Sequence, residues 1–453
     1  MPNYLANWST LTPEQKRQAR LNATLDTSKM AFPNKEMEKA YLVRQQRMVD
    51  IYNVREPDRV PCTIPTGQLP LKMFGVTAYE AMYNPAKALE ACAKFNAKYA
   101  KDLETTAMTW MTPGKVLDLM DYKLYAWPGH GLSKEGTTTW QFIEGEYMTA
   151  DEYDDLILDP SDFWIRTYFP RVFGMMHPMT MFQPFTNITE NVHITQFMPL
   201  ATPEVQGMLQ KMIDVGKAFQ EAQRIQMQAM GISAMMGGRS MMGGVTFAKA
   251  PFDIIGDTLR GTTNIMKDMF RRPQKLLAAL DKVADFQIAT ILKSQGIENS
   301  LVVTYPLHKG ADGWMSKQQW DTFYWPSLKK VMDALIAEGL IQSMFAEGSF
   351  NTRLELIDQF PKGTVIWYFD RTDIFKAKQI LGKKYCLEGN IPSSMLVTGE
   401  PKDVKEYCKR LIQEVGKGGG YLLCGGSTPE NPKLENLYAM IEAVNEYGWY
   451  KKK

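Results

Sequence analysis

The chain has 453 residues, 45% of them apolar and 23% charged, with a formal net charge of +2. That length suits one large domain with additions or two to three ordinary ones. The near-neutral charge gives no electrostatic reason to expect nucleic acid or an anionic membrane as partner.

Five cysteines, an odd number with no C-x-x-C pair, argue against a disulfide framework and for a reducing compartment. The N-terminal stretch MPNYLANWSTLTPEQKRQAR has no apolar signal core, and no run is apolar enough to span a bilayer, so a cytoplasmic location is expected. Thirty methionines are the compositional outlier, suited to filling irregular cores and to adaptable contact surfaces.

Thr12 before Pro13 and Glu14 reads as an N-cap followed by proline at the first helical position. A second helix runs from about Lys35, and the two make residues 1–55 a helical extension. The segment REPDRVPCTIP is a turn feeding a first strand of a second unit, residues 56–453. Residues 86–101 are helical with Leu89, Cys92 and Ala93 on one face, so Cys92 belongs to the core. Between 111 and 200, TTTWQFIEGEYMT looks extended and TADEYDDLIL a short acidic helix. The apolar stretch containing His177 and His193 has no readable period. A long helix covers PEVQGMLQKMIDVGKAFQEAQRIQMQAMG, followed by the loop MMGGRSMMGG around Arg239.

From residue 300 the pattern becomes regular. Strand-like runs LVVTYPL, LIQSMFA, TVIWYF, KYCL and GYLLC alternate with helical segments. Ser316 and Gln319 make a capping box, and Pro326 should kink or split the helix they start. Val404, Tyr407, Cys408, Leu411, Ile412 and Val415 follow the spacing of an amphipathic helix. A last helix begins near Pro432. Apolar strands alternating with helices imply a parallel sheet covered by helices. No G-x-G-x-x-G or phosphate-binding loop follows any strand, so a (β/α)8 TIM barrel is preferred to a nucleotide-binding sheet.

The five strands end in His308, Glu347, Asp370, Glu388 with Asn390, and Cys424. In a barrel those ends open onto one mouth, where active sites lie. Loops are polar, so any one of these has the ordinary reading of a turn residue. Imidazole, carboxylate and thiolate together are zinc-ligand chemistry, which makes His308, Glu347 and Cys424 a candidate metal set; the same groups also make a metal-free polar pocket. Glu347, His308 and Asp370 are the catalytic candidates. Asn390, Arg239 and His130, the last in WPGHG, are candidates for holding a cofactor.

The segments GADGWMSKQQWDTFYWPSLKKVMDAL, YFDRTDIFKAKQILG, LEGNIPSSMLVTGEPKDVKEYCKRLI and GGGYLLCGGSTPENPKLENLYAMIEAV resemble, in order and spacing, the uroporphyrinogen decarboxylase superfamily. Within it they are most similar to the corrinoid-dependent branch that includes methylcobamide:coenzyme M methyltransferases. DRVPCTIP and APFDIIGDTLRG agree more loosely. The resemblance implies one (β/α)8 domain, a zinc ion, and methyl transfer between a small methylated donor or acceptor and a cobalamin. The cobalamin would be carried by a corrinoid-binding partner protein, because the chain has no D-x-H-x-x-G segment.

Cys424 in GGYLLCGGSTP matches that branch's C-terminal cysteine ligand. The branch's His-x-Cys is replaced by Phe345 and Glu347 in FAEGSF, which hardens the site toward oxygen donors and favours an oxygen- or nitrogen-centred substrate over a thiol. The decarboxylases themselves hold several substrate carboxylates with N-terminal arginines. Here TIPTGQLPLKMFG follows RVPC without one, which disfavours decarboxylation. The alternatives are a carboxy-lyase and a non-catalytic corrinoid-binding barrel. The oligomeric state is open, with a homodimer among the options.

Overall fold

Residues 7–108, 111–235, 245–294 and 301–450 are described by a computed structural model. Its centre is a six-stranded sheet: β1 (Val245–Phe247), β2 (Val302–Leu307), β3 (Ile341–Ala346), β4 (Val365–Phe369), β5 (Cys386–Ile391) and β6 (Tyr421–Gly425). The strands lie side by side in chain order and every pairing is parallel. Parallel neighbours require crossovers, and helices such as Pro273–Ser294, Trp325–Ala337, Ile374–Leu381 and Pro401–Arg410 provide them.

Burial follows from this layering. All of β6 is buried, and four of the five residues of β4 are, because both sheet faces are covered. The run before Ile64 joins the sheet's far edge. Thr63 donates to Leu423 and Leu423 to Pro61, and Cys62 bridges Leu423 in parallel. Among the described residues no ladder closes the sheet into a ring.

The five strands read from the sequence are all present, and β1 joins them. The fourth run extends past KYCL through LEGNI, so Glu388 and Asn390 lie inside β5 and not beyond its end. Pro326 splits its helix as expected. A wider, π-type turn, Trp320–Tyr324, separates the capped start at Ser316 from the straight segment Trp325–Ala337. Of the extended stretch read near 140, only Gln141–Phe142 is a strand, paired antiparallel with Tyr125–Pro128 in a small separate sheet. The aperiodic stretch after it folds as 3-10 turns, among them Gly174–Met181 and Asn191–Ala201.

The extension covers one end of the sheet. Helices α1 (Pro13–Ala23) and α2 (Lys35–Tyr52) place Leu21, Met48, Val49, Ile51 and Tyr52 in one apolar cluster with Ile341, Ile366, Cys386 and Leu422, which lie at or near the strands' N-terminal ends. Thr12 caps α1 through Gln15, and Lys16 pairs with Glu338 at 2.7 Å. Arg17 donates to the Gly363 carbonyl at 3.2 Å and to Asn53 at 2.9 Å. With that end covered, the C-terminal strand ends face the other way.

Because Leu21 is fully buried against those strand starts, Leu21→Ala should lower the unfolding free energy by about 2–5 kcal/mol. Urea denaturation of the full chain measures this, and an unchanged midpoint would show that the extension does not contribute to the core.

Candidate active site

Directly after β1, Pro251 starts a short helix, Pro251–Asp253, that widens into a π-type turn, Ile254–Arg260. Asp253 and Asp257 fall four residues apart, hence on one face, and that face meets the end of β2. Asp253 is fully buried. Its carboxylate accepts the backbone N–H of His308 at 3.0 Å and of Lys309 at 2.9 Å, and the Tyr324 hydroxyl at 2.8 Å. These bonds fix the chain as it leaves β2.

Asp257 holds the side chains. One oxygen lies 2.7 Å from His308 Nδ1 and 2.7 Å from Lys249 Nζ, and the other takes the Lys309 ammonium. Gly256 makes room for this. A Cβ there would come within 2.9 Å of the Lys309 side chain. On the opposite edge of the ring, His308 Nε2 is 3.6 Å from Glu347, at the turn after β3. The His308 and Glu347 side chains are 38% and 53% exposed, against 8% for Asp257, so the two reach toward solvent from a buried anchor.

The electrostatics follow from these contacts. The bond to Asp257 is the largest effect on His308 and outweighs partial burial, so the imidazole holds its proton to a higher pH than usual. Burial pushes the Asp257 carboxyl upward. The His308 bond and the charges of Lys249 and Lys309 overcome that and hold it well below the carboxylate range. Asp253 is raised, by burial first and then by the Asp257 charge.

The pair's stability contribution has a definite window. The Asp257 part is present above about pH 3.9 and is lost as pH falls through its lowered pKa. The His308 part is present below about pH 6.5 and is lost as pH rises through its raised value.

A second group of side chains stands farther along the sheet. Cys424 Sγ is 3.7 Å from Glu388 and 3.2 Å from the Gly425 carbonyl, which also accepts the Tyr368 hydroxyl at 3.0 Å. Burial, then the neighbouring Cys424 and Glu388, keeps the Tyr368 phenol protonated far into the alkaline range. Asp370 accepts the Gly348 amide at 3.2 Å, and Arg371 N–H donates to the Gly348 carbonyl at 3.0 Å. Asp370 therefore braces the turn that carries Glu347.

Of the residues expected from sequence, His308 and Glu347 come together and Asp370 stands behind them. Cys424 does not complete a triad with these two; its sulfur lies with Glu388, Gly425 and Tyr368 on β4 to β6. Among the described residues no three His, Cys, Asp or Glu side chains are grouped so as to hold a metal ion. The residues as arranged do not form a zinc cage. Asn390 is buried, its amide donating to the Thr372 carbonyl at 2.8 Å and accepting the Tyr407 hydroxyl at 3.1 Å, so it ties β5 to its surroundings. His130 stacks on Trp127 and pairs with Asp118 at 2.9 Å, outside both groups. Arg239 lies outside the described residues.

Sequence reading missed Lys249, Asp253, Asp257 and Lys309. The available signal was APFD, a proline-led helix start right after an extended VTF, with two aspartates at helical spacing. A cleft of about 430 Å³ near the extension, lined by Arg44, Arg47, Arg59, Glu104 and Trp449, lies apart from this chemistry. Arg47 and Arg59 are occupied there by Asp58 and Glu104.

The sequence profile of the uroporphyrinogen decarboxylase family matches residues 202–447, more than half of the chain and all six strands. The chain belongs to the uroporphyrinogen decarboxylase family. Its curated relatives include the uroporphyrinogen decarboxylase of Actinobacillus succinogenes, 22% identical over 278 residues, or 58% of this chain and 71% of the relative. That of Klebsiella pneumoniae is 26% identical over 211 residues, or 45% of this chain and 57% of the relative. Among solved structures, a methyltransferase from Methanosarcina mazei superposes with a TM-score of 0.51 at 14% identity, covering 89% of this chain and 98% of that one. The family and this neighbour are TIM-barrel folds, and the parallel sheet with helical crossovers is the corresponding architecture here.

The Asp257 clamp makes a spectroscopic prediction. In Asp257→Asn, His308 loses its principal stabilising partner and should titrate at lower pH, toward about 6.5. Ring proton signals followed by NMR, in a chain with four histidines, would disprove the clamp if no imidazole moved.

Proposed function

We propose that this chain is a methyltransferase that removes a methyl group from a small oxygen- or nitrogen-linked methyl donor and delivers it to a corrinoid carried by a partner protein. The observation that supports this most is His308, held between a buried carboxylate on Nδ1 and an exposed one near Nε2 at the sheet's C-terminal edge. Such an imidazole suits a general acid. Asp257 orients the ring and lets it hold its proton to a higher pH than a free imidazole, while Nε2–H faces the side a substrate can reach.

The corrinoid, as co-substrate in its reduced cobalt(I) state, supplies the electron pair of the new bond to the methyl carbon. When the carbon–oxygen bond breaks, its electron pair stays on oxygen, and His308 Nε2 gives that oxygen its proton. Glu347 orients the ring edge and offers a carboxylate to the incoming compound, and Lys249 and Lys309 keep Asp257 ionised against Nδ1. Each role rests on charge placed before the reaction begins.

The names of the curated relatives favour a second reading, decarboxylation of a carboxylated substrate. Less supports it in the side chains. Lys249 and Lys309 are committed to Asp257, and Arg260 is committed to Asp268 at 2.6 Å and Glu146 at 2.5 Å. A substrate with several carboxylates needs cations that are free to converge.

Reduced free cobalamin and a set of aryl methyl ethers and N-methyl amines provide the assay, followed by the loss of cob(I)alamin absorbance. His308→Ala should reduce turnover by about 10²–10⁴-fold. Wild-type turnover should fall as pH rises through the raised imidazole pKa, and Asp257→Asn should move that falling limb to lower pH. Release of carbon dioxide from a carboxylated substrate without cobalamin, with no methyl transfer, would replace this reading by the second.

A further inference from the structure

The cleft of about 430 Å³ beside the extension has walls from four parts of the chain. Helix α2 gives Lys39, Val43, Arg44 and Arg47, and the run entering the sheet gives Arg59. Glu104 ends the helix Pro85–Leu103, and Trp449 follows the last helix, Leu434–Tyr447. Cys62 and Thr63 lie parallel to β6, so Arg59 stands before them, at the end of the sheet where strands begin. His308 and Glu347 lie at the other end.

Charge in this cleft does not balance. Arg47 pairs with Asp58 at 2.6 Å. Arg59 gives both Nη groups to Glu104, at 3.0 and 2.5 Å, and one of them to Asn445 at 2.6 Å. Neither Lys39 nor Arg44 makes a hydrogen bond or ion pair among the described residues. Four cations and two carboxylates, Glu36 and Glu104, line the walls, and Asp58 behind Arg47 still leaves one positive charge over.

Arg44 carries most of that imbalance. Its Nε is shut away from solvent without an acceptor, as is the Nε of Arg59. Burial does most to lower the Arg44 pKa; Glu104 opposes the change, and the like charges of Arg47 and Arg59 add to it. A guanidinium does not give up its proton in a protein, so the charge stays and its cost stands until an anion meets it.

We propose that this cleft binds a small molecule through a phosphate monoester group, with Arg44 and Lys39 as the cations that take it. A guanidinium fork matches two oxygens of one group, and a phosphate offers three strong acceptors at a single centre. Two uncommitted cations and one surplus charge suit one dianion. A nucleic acid would need a longer basic track. The cleft is larger than a phosphate and falls among small-molecule sites, which run from about 300 to 1,000 Å³. Val43, 38% exposed, and Trp449, whose ring lies 5.4 Å from the Arg59 guanidinium, give the ester's organic part an apolar wall. Such a molecule would fasten α2 to Arg59 and to the chain after the last helix. It is an effector of that end of the fold and not a substrate of the mouth.

Calorimetric titration of the full chain at low salt, with inorganic phosphate, glycerol 3-phosphate and phenyl phosphate, tests this without reference to methyl transfer. One equivalent of each should bind, the esters more tightly than inorganic phosphate, and each should raise the thermal unfolding midpoint as its concentration passes the dissociation constant. Arg44→Met keeps the apolar stem and should weaken binding at least about tenfold, with Arg44→Lys between it and the wild type. Because the lost charge is an unmatched one, the midpoint of Arg44→Met without phosphate should not fall, which a purely structural arginine would not permit. Succinate, of equal charge, should bind more weakly than any of the three. A wild-type chain that binds no phosphate, esters no tighter than inorganic phosphate, binding that survives Arg44→Met, or succinate binding as tightly would overturn the proposal.

Discussion

Two carboxylates four residues apart, Asp253 and Asp257, are buried where a helix turn meets the end of a parallel strand, and the site depends on neutralising them. Unpaired, either would cost several kcal/mol. The fold meets this with unlike partners. Asp253 takes two backbone amides and a phenol, which are neutral donors. Asp257 takes two ammonium groups and an imidazole. The first arrangement positions the main chain, and the second positions and charges the ring. His308 is thus located through its backbone and oriented through its side chain by the same helical face.

Much of the scaffold was legible in the sequence because its signals are local. Apolar runs of five or six residues separated by amphipathic stretches could be read as a parallel sheet without tertiary information, and so could the Ser316 cap and the split at Pro326. Strand ends were less certain. Glu388 and Asn390 read as loop residues because they are polar, yet they continue β5, where Asn390 satisfies the backbone of the neighbouring turn. The site was half legible. His308 and Glu347 stand at adjacent strand ends, so the parallel register brings them together. Cys424 stands three strands beyond Glu347 in the sheet order, and its sulfur faces its own neighbours. Asp253 and Asp257 were hidden because an aspartate in a helix is usually a solvated one, and only the packing of that helix against β2 makes these two exceptional.

The mouth has two unlike halves. Around β1 to β3 it is ionic, with paired charges gathered on Asp257 and His308. Around β4 to β6 it is a thiol, a phenol and a carboxylate in a mostly buried setting. A family that includes decarboxylases and a fold shared with a methyltransferase are compatible with one scaffold because reactions differ in which strand ends carry chemistry, while the sheet that presents them stays the same.

The contact between Asp370 and the Gly348 amide links these halves. Asp370 lies at the end of β4, its carbonyl and that of Thr372 accept the Asn390 amide, and Asn390 in turn accepts the Tyr407 hydroxyl from the helix Pro401–Arg410. The turn that carries Glu347 is therefore connected through Gly348, Asp370 and Asn390 to an outer helix. A displacement of that helix at Tyr407 would be passed through these hydrogen bonds to the turn that carries Glu347.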